Sequence, residues 1–177
     1  MGENRLSGSR VYLCGAMDRA ADGGEGWRKE ITPVLENFNM VVINPINKPI
    51  HGYDESKEFI VERRQYKKNR QFEKIVEHKR IRSADLRLVD ISDLLIVYLN
   101  MDERPFGTIE EIVTANRSKK PVLVWVEGGL ENAPDWLWWM LPMEMLFDNM
   151  WALINYIDYV DAGLKNHERF IFTNFKA

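Results

Sequence analysis

The chain has 177 residues, enough to bury the core of one domain, and its 45% hydrophobic and 29% charged residues are typical of a globular protein. A net charge of -3 gives no general reason to expect binding to nucleic acid or to an anionic membrane surface. Cys14 is the only cysteine, which excludes an intrachain disulfide, and no stretch approaches the roughly 20 apolar residues of a membrane helix. Met1 to Arg10 is polar and lacks the apolar core of a signal peptide, so we expect a single cytoplasmic domain over residues 1–177.

The first half of the chain predicts two short apolar strands separated by a helix, then a loop and a long helical region. The predicted bounds are a strand over 10–14, a helix over 27–38, a strand over 40–43, a loop over 47–55 and a helical region over about 55–92. Each strand ends at a residue that stops it, Gly15 in the first case and Asn44-Pro45 in the second.

The second half continues the alternation of apolar strands and helices. We predict strands over 94–99 and 121–126, helices over 107–118, 135–140 and 149–160, and either a late strand or an ordered tail over 169–175. Short apolar strands separated by helices are typical of a parallel sheet that is covered on both faces. The predicted fold is therefore α/β: a flavodoxin-like or Rossmann-like three-layer sandwich with a mainly parallel sheet of about five strands.

In such a sheet the ligand lies beyond the carboxyl ends of the strands. After the first strand, Gly15 can allow a ligand to approach the backbone, or it can simply be needed for a tight turn. Asp18 and Arg19 follow as candidate polar contacts. No G-x-G-x-x-G pattern is present, so the sequence does not support a dinucleotide-binding fingerprint.

A second candidate site follows the strand over 94–99, where Gly107 and Thr108 open a helix that carries Glu110 and Glu111. Free N–H groups at a helix start can hold a phosphate or a sugar, and a carboxylate beside a sugar can attack its anomeric carbon. The helix dipole alone also favours acidic residues there, so a structural interpretation of both glutamates stays open. Since they point about 100° apart, they cannot share one role.

Other charged residues have simpler explanations. Asp85 and Arg87 lie among apolar residues at the edge of the long helical region, where the simpler explanation is an intrahelical or interhelical ion pair. Residues 57–82 hold ten Lys or Arg against four Glu, which suits either a solvated helix face or contacts with nucleic acid. The three histidines are scattered without the spacing of metal ligands, and we predict no metal site.

Six segments, in this order, resemble the nucleoside 2-deoxyribosyltransferase family and its relatives that hydrolyse (deoxy)nucleoside monophosphates at the N-glycosidic bond. They are Val-Tyr12-Leu-Cys-Gly15-Ala-Met, Gly26-Trp27-Arg28, Asn44-Pro45, Ala84-Asp85-Leu86, Ser92-Asp93-Leu-Leu-Ile-Val-Tyr98 and Gly107-Thr108-Ile-Glu110-Glu111-Ile. The resemblance covers residues 11 to about 139 and is closest to the small members that are often found in phage genomes.

The resemblance implies two catalytic residues. The family's nucleophile lies four residues after the glycine, which selects Glu111 and not Glu110. Its second acid lies a little over twenty residues earlier in an x-D-L segment, which selects Asp85. The implied activity is cleavage or transfer at the N-glycosidic bond of a 2′-deoxynucleoside or its 5′-monophosphate, through a glycosyl-glutamate intermediate and without a cofactor.

The resemblance also implies a set of substrate contacts and a homo-oligomer in which a neighbouring subunit completes the site. The expected contacts are Tyr12, Gly15, Asp18, Arg19, Asn44, Arg104, Gly107, Thr108 and, from the neighbour, Asp135. At Pro105 the chain departs from the family, whose transferases carry an aspartate for the sugar 5′-OH and whose monophosphate hydrolases often carry a hydroxyl residue. Arg19, Arg104 and Thr108 are candidates for binding a phosphate, and the choice between nucleoside and nucleotide stays open.

Three tryptophans within four residues, Trp136, Trp138 and Trp139, cannot all face one side of a short helix. We expect at least one of them to be exposed on an isolated subunit and to lie at the oligomer interface, because tryptophan is enriched in interface cores. The alternative is that the tail over 169–175 covers this helix. For the whole chain, the alternatives to an enzyme are a non-catalytic nucleotide sensor on the same fold and a nucleic-acid-binding protein.

Overall fold

The structure, a computed structural model, describes residues 4–48 and 57–175. Its centre is a sheet of five parallel strands in the order β2-β1-β3-β4-β5. The strands are β1 (Arg10–Gly15), β2 (Val41–Ile43), β3 (Leu94–Leu99), β4 (Val122–Val126) and β5 (Leu146–Phe147). This order is that of flavodoxin-like sheets, so the predicted fold class is confirmed.

Helices cover both faces of the sheet and complete three layers. In the described part of the chain they are α1 (Glu25–Asn37), α2 (Lys57–Lys68), α3 (Phe72–Glu77), α4 (Lys79–Ile91), α5 (Phe106–Arg117), α6 (Asp135–Met140) and α7 (Met150–Asp161). Helices α1 and α7 pack on one face, and α4, α5 and α6 pack on the other. Within residues 4–48 and 57–175, no helix has both the length and the apolar character needed to cross a membrane.

The alternation of side chains along β1 decides what lies near α5. Val11 and Leu13 point into the core beneath α1 and α7, whereas Tyr12 and Cys14 point to the opposite face, beneath α5. All four side chains are buried, because a parallel strand at the centre of such a fold is covered on both sides. Two polar atoms of β1, the hydroxyl of Tyr12 and the thiol of Cys14, are thereby brought under the helix that carries Glu111.

The structure selects among the alternatives near the C-terminus. The segment Glu168–Phe175 is an ordered tail that forms a 3-10 helix and not a late strand, and the fifth strand is Leu146–Phe147. Two residues are too few to show the periodicity of a strand, so the sequence pattern could not reveal β5. Phe170 of the tail packs with α1 and α7, on the sheet face opposite α6, so the tail does not cover the tryptophan helix.

The long helical region over about 55–92 is three helices, α2, α3 and α4. Between the first two, Arg70 has a positive φ of 58°, which ends α2 and reverses the chain. Of the loop predicted over 47–55, residues 49–55 lie outside the described ranges. The break allows α2 to lie beside the loop that follows β1 while α4 packs on the sheet.

Candidate active site

A cavity of about 540 Å³ opens at the carboxyl ends of β1 and β3. Its walls are the segment after β1, the cavity-facing sides of α2, α3 and α4, and the start of α5 with the residues before it. This is the place that the parallel sheet predicts, and the volume lies within the range of small-molecule sites. Glu111 and Asp85, the two predicted catalytic residues, both line it.

The carboxylate of Glu111 is held by two donors from β1. The hydroxyl of Tyr12 donates to Oε1 at 2.9 Å, and the thiol of Cys14 donates to Oε2 at 2.8 Å. Burial raises the pKa of Glu111 to about 7; the nearby Asp85 raises it further, while the bonds from Cys14 and Tyr12 and the charge of Arg28 lower it. The carboxyl group is thus fixed in position and titrates near neutral pH.

Tyr12 and Cys14 act as hydrogen-bond donors to the carboxylate. Burial raises the pKa of each well above its ordinary value, and the charge of Glu111 raises it further, so both remain protonated at neutral pH. Tyr12 is 1% exposed and does not line the cavity. Tyr12 therefore contacts Glu111 from beneath α5, and its contact with substrate stays a prediction.

Asp85, on α4, is the second carboxylate of the cavity. Its side chain is 15% exposed and accepts a hydrogen bond from Nζ of Lys48 at 2.6 Å. Burial raises the pKa of Asp85 above its ordinary value, and the charge and hydrogen bond of Lys48 partly offset that effect. Asp85 thus has an ion-pair partner, but that partner comes from the segment after β2 and not from a helix, and Arg87 is exposed.

Glu110 differs from its neighbour in having a surface partner. It accepts a hydrogen bond from Nε of Arg82 on α4 at 2.8 Å, and both side chains are largely exposed at the edge of the cavity. This ion pair links α4 to α5 and gives Glu110 a structural explanation. The geometry therefore agrees with the choice of Glu111 over Glu110.

Arg28, on α1, is a site residue whose role the sequence did not predict. It is 1% exposed, and its guanidinium donates to the carbonyl oxygens of Leu13 at 3.2 Å, Gly15 at 3.0 Å and Gly24 at 2.6 Å. It thereby holds together the end of β1 and the start of α1, where the cavity opens. One signal was available: Arg28 occupies the same helical stripe as the buried Ile31, three residues later.

Four other predicted residues line the cavity in different ways. Asp18 accepts a hydrogen bond from Arg63 at 2.6 Å, so its carboxylate already has a partner. Arg19, Arg104 and Thr108 line the cavity, and Thr108 is buried whereas the two arginines are exposed.

The two predicted glycines have different reasons for lacking a side chain. At Gly15 a Cβ atom would come within 2.9 Å of the ring of Trp27 and 3.2 Å of the carbonyl oxygen of Tyr98, so packing excludes a side chain. At Gly107 a Cβ would meet nothing within 4 Å. Both residues line the cavity, and at Gly107 the missing side chain leaves space open for a ligand.

Two predicted contacts do not line this cavity. Asn44 caps the 3-10 turn Pro45–Asn47 by accepting a hydrogen bond from the N–H of Ile46 at 3.1 Å, which gives it a structural role, and its contact with substrate stays a prediction. Asp135 lies exposed at the start of α6. Its role in a neighbouring subunit's site stays a prediction.

Comparison with known proteins supports the fold. No family model matches the sequence, and a search of curated proteins finds no significant match. Among solved structures, the chain is similar to a 2-deoxyribosyltransferase from the psychrotolerant bacterium Bacillus psychrosaccharolyticus, described as a biocatalyst for the synthesis of antiviral and antitumoral nucleosides. The TM-score is 0.55 at 15% sequence identity, over 85% of this chain and 90% of that chain. At this identity the similarity shows a shared fold.

Proposed function

We propose that the protein cleaves the N-glycosidic bond of a 2′-deoxynucleoside or its 5′-monophosphate. The deoxyribosyl group then passes either to water or to another base. One observation carries the proposal: the Glu111 carboxylate, held by Tyr12 and Cys14, lines the same cavity as Asp85 at the ligand-binding edge of the sheet. The fold shared with a 2-deoxyribosyltransferase supports the same conclusion.

In the first step an oxygen of the Glu111 carboxylate forms a bond to C1′ of the sugar. The bond between C1′ and the base nitrogen breaks, and its electron pair leaves with the base. Asp85 donates a proton or a hydrogen bond to that base, a role for which a raised pKa is suited. The product is a glycosyl ester on Glu111.

In the second step a new acceptor attacks C1′ from the face opposite Glu111, the ester bond breaks, and Glu111 returns as a carboxylate. The proton that the acceptor loses passes to Asp85 or to solvent. A free base as acceptor gives transfer, and water gives hydrolysis. Two displacements retain the configuration at C1′ in either case. Transfer and hydrolysis share the first step, so the same residues serve both.

The proposal is tested by incubating the protein with each deoxynucleoside and each deoxynucleoside monophosphate, with and without a free base, and separating the products by chromatography. The variant Glu111→Gln should lose turnover and keep its circular dichroism spectrum, because an amide is nearly isosteric but a far weaker nucleophile. Glu110→Gln is the matched control and should retain most activity, since Glu110 pairs with Arg82.

Turnover by Glu111→Gln at the wild-type rate would reject the assignment of the nucleophile, and the opposite ranking of the two variants would select Glu110. Binding of nucleotides without any turnover by the wild type would favour the non-catalytic sensor. Tight, salt-dependent binding to duplex DNA would favour the nucleic-acid-binding alternative.

A further inference from the structure

A second cavity, of about 490 Å³, adjoins the candidate active site. We call it the basic recess; it is lined by Asp18, Arg19, Ile60, Arg63, Arg64 and Lys67. Four of these residues, Asp18, Arg19, Arg63 and Lys67, also line the active-site cavity, so the two spaces share a wall of charged side chains.

The recess is formed by one face of α2 and the segment after β1. Ile60, Arg63, Arg64 and Lys67 are spaced three to four residues apart and so fall on one side of the helix. Asp18 fixes α2 in place, since its carboxylate accepts from Arg63 at 2.6 Å and its backbone carbonyl accepts from Arg64. Part of the Lys- and Arg-rich stretch over residues 57–82 therefore lines a concave surface.

Among the described residues that line the recess, the charges do not balance. Four of them carry cationic side chains and one a carboxylate, and that carboxylate, Asp18, is already paired with Arg63. Neither Arg19 nor Lys67 has an ion-pair partner among residues 4–48 and 57–175. A concave site with uncompensated cations attracts anions and binds phosphate oxygens through charge-assisted hydrogen bonds.

Three carboxylates, those of Glu111, Asp85 and Glu103, also line the active-site cavity, and Oε2 of Glu103 is buried without a hydrogen-bond partner in the described part of the chain. Carboxylates repel a phosphate but accept hydrogen bonds from sugar hydroxyls and base N–H groups. For a substrate with C1′ at Glu111, the charges therefore favour a phosphate at the wall that carries Arg19 and Lys67.

We infer that the substrate is a 2′-deoxynucleoside 5′-di- or triphosphate whose phosphate chain extends into the basic recess. The first phosphate lies at the shared wall, against Arg19 and Lys67. The later phosphates lie beside Arg64, which lines the recess but not the active-site cavity. A monophosphate would leave the recess empty beside Arg64, which donates to the carbonyl of Asp18 and has no ion-pair partner among residues 4–48 and 57–175. The inference rests on the proposed N-glycosidic chemistry at Glu111 and extends its substrates beyond the monophosphate.

The test compares kcat/KM for a deoxynucleoside and its mono-, di- and triphosphates, without added divalent cations. We expect the triphosphate to exceed the monophosphate by about tenfold or more, because its later phosphates add charge-assisted hydrogen bonds. Arg64→Ala should lower kcat/KM for the triphosphate more than for the monophosphate. Lys67→Ala should lower both, and in each variant the loss should be smallest for the nucleoside, which carries no phosphate.

Lys68→Ala is the matched control, because this exposed neighbour on α2 lines neither cavity. A monophosphate or nucleoside preferred over the triphosphate, or equal losses for all substrates in Arg64→Ala, would overturn the inference and leave the proposed function intact. An absence of turnover on every substrate would instead reject the proposed function.

Binding gives an independent measurement that does not need turnover. The Glu111→Gln variant, titrated calorimetrically with deoxynucleoside triphosphate and monophosphate, should bind the triphosphate more tightly, with the difference shrinking as salt is raised. Equal affinities would contradict the inference. Stronger competition by a single-stranded oligodeoxynucleotide than by the triphosphate would assign the recess to nucleic acid instead.

Discussion

The chemistry of Glu111 depends on opposing effects on one carboxyl group. Burial favours the neutral form, whereas the hydrogen bonds from Cys14 and Tyr12 and the charge of Arg28 favour the carboxylate; Asp85 adds to the effect of burial. The resulting pKa of about 7 means that a large share of the protein carries the ionised nucleophile only from neutral pH upward. We therefore expect kcat/KM to fall as the pH drops below about 7.

Replacing Cys14 tests this balance. Cys14→Ala removes a hydrogen bond that favours the carboxylate, so the pKa of Glu111 should rise above about 7. The acidic limb of the kcat/KM profile should then move to higher pH, with a larger loss of activity below neutrality than above it. Cys14→Ser keeps a donor and is the control. A limb that stays in place or moves to lower pH would contradict the assigned role.

Asp85→Asn should reduce kcat more than it raises KM. An acid that assists departure of the base acts mostly in the transition state, and such roles typically contribute 10²–10⁴-fold. Steady-state kinetics on the substrate identified by chromatography measures the two effects separately. Asp90→Asn, an exposed change on the same helix, should leave both parameters near wild type. If only KM rises, Asp85 binds substrate or serves as the partner of Lys48.

At the scale of elements, the junction between β1 and α1 depends on a buried charge. Arg28 satisfies three backbone carbonyls at the point where the chain turns from strand to helix beside the cavity. Its guanidinium also lies 4.4 Å from the ring centre of Trp27. A side chain that makes only apolar contacts cannot replace these hydrogen bonds.

Arg28→Met should therefore destabilise the protein by about 2–5 kcal/mol, because buried carbonyls lose their donors. The free energy of unfolding, measured in urea, gives the value. Lys29→Met removes an exposed pair with Glu25 and should leave the free energy of unfolding near the wild-type value. Equal stabilities of the two variants would show that Arg28 does not hold the junction.

At the scale of the whole molecule, α6 exposes apolar surface. Trp139 is 81% exposed and Met143, three residues after the helix, is 74% exposed. Leu137 on the same helix is buried against the sheet, and Trp136 and Trp138 are partly covered. The expectation that at least one tryptophan stays exposed on an isolated subunit is met by Trp139.

We predict that the active protein is a homo-oligomer with α6 at or near its interface. Trp139→Arg should lower the mass measured by light scattering during size exclusion, since a charge would replace an aromatic side chain that we expect the interface to bury. Trp151→Arg, on α7, is the comparison, because Trp151 is also exposed, at 59%. If only Trp151→Arg yields monomers, the interface lies at α7 and not at α6. A wild-type monomer that turns over substrate would exclude both the interface and a role of Asp135 in a neighbour's site.

Much of the fold was predictable because its signals are local. The continuous apolar runs at Leu94–Leu99 and Val122–Val126 indicated strands buried on both faces, and a sheet of such strands must be parallel and covered by helices. The spacing from Gly107 to Glu111, within a resemblance of ordered motifs, singled out one of two adjacent glutamates. These inferences depend only on residues that are close along the chain, or on their order.

Contacts between distant segments required the tertiary structure. Cys14 meets Glu111, Lys48 meets Asp85 and Arg63 meets Asp18 only because the strand order and the placement of α2 bring separate segments together. The sequence by itself determined the α/β fold and the candidate catalytic residues. The tertiary structure decided which partners set their charge and which cations face the cavity, because side-chain contacts across a sheet follow from packing and not from local pattern.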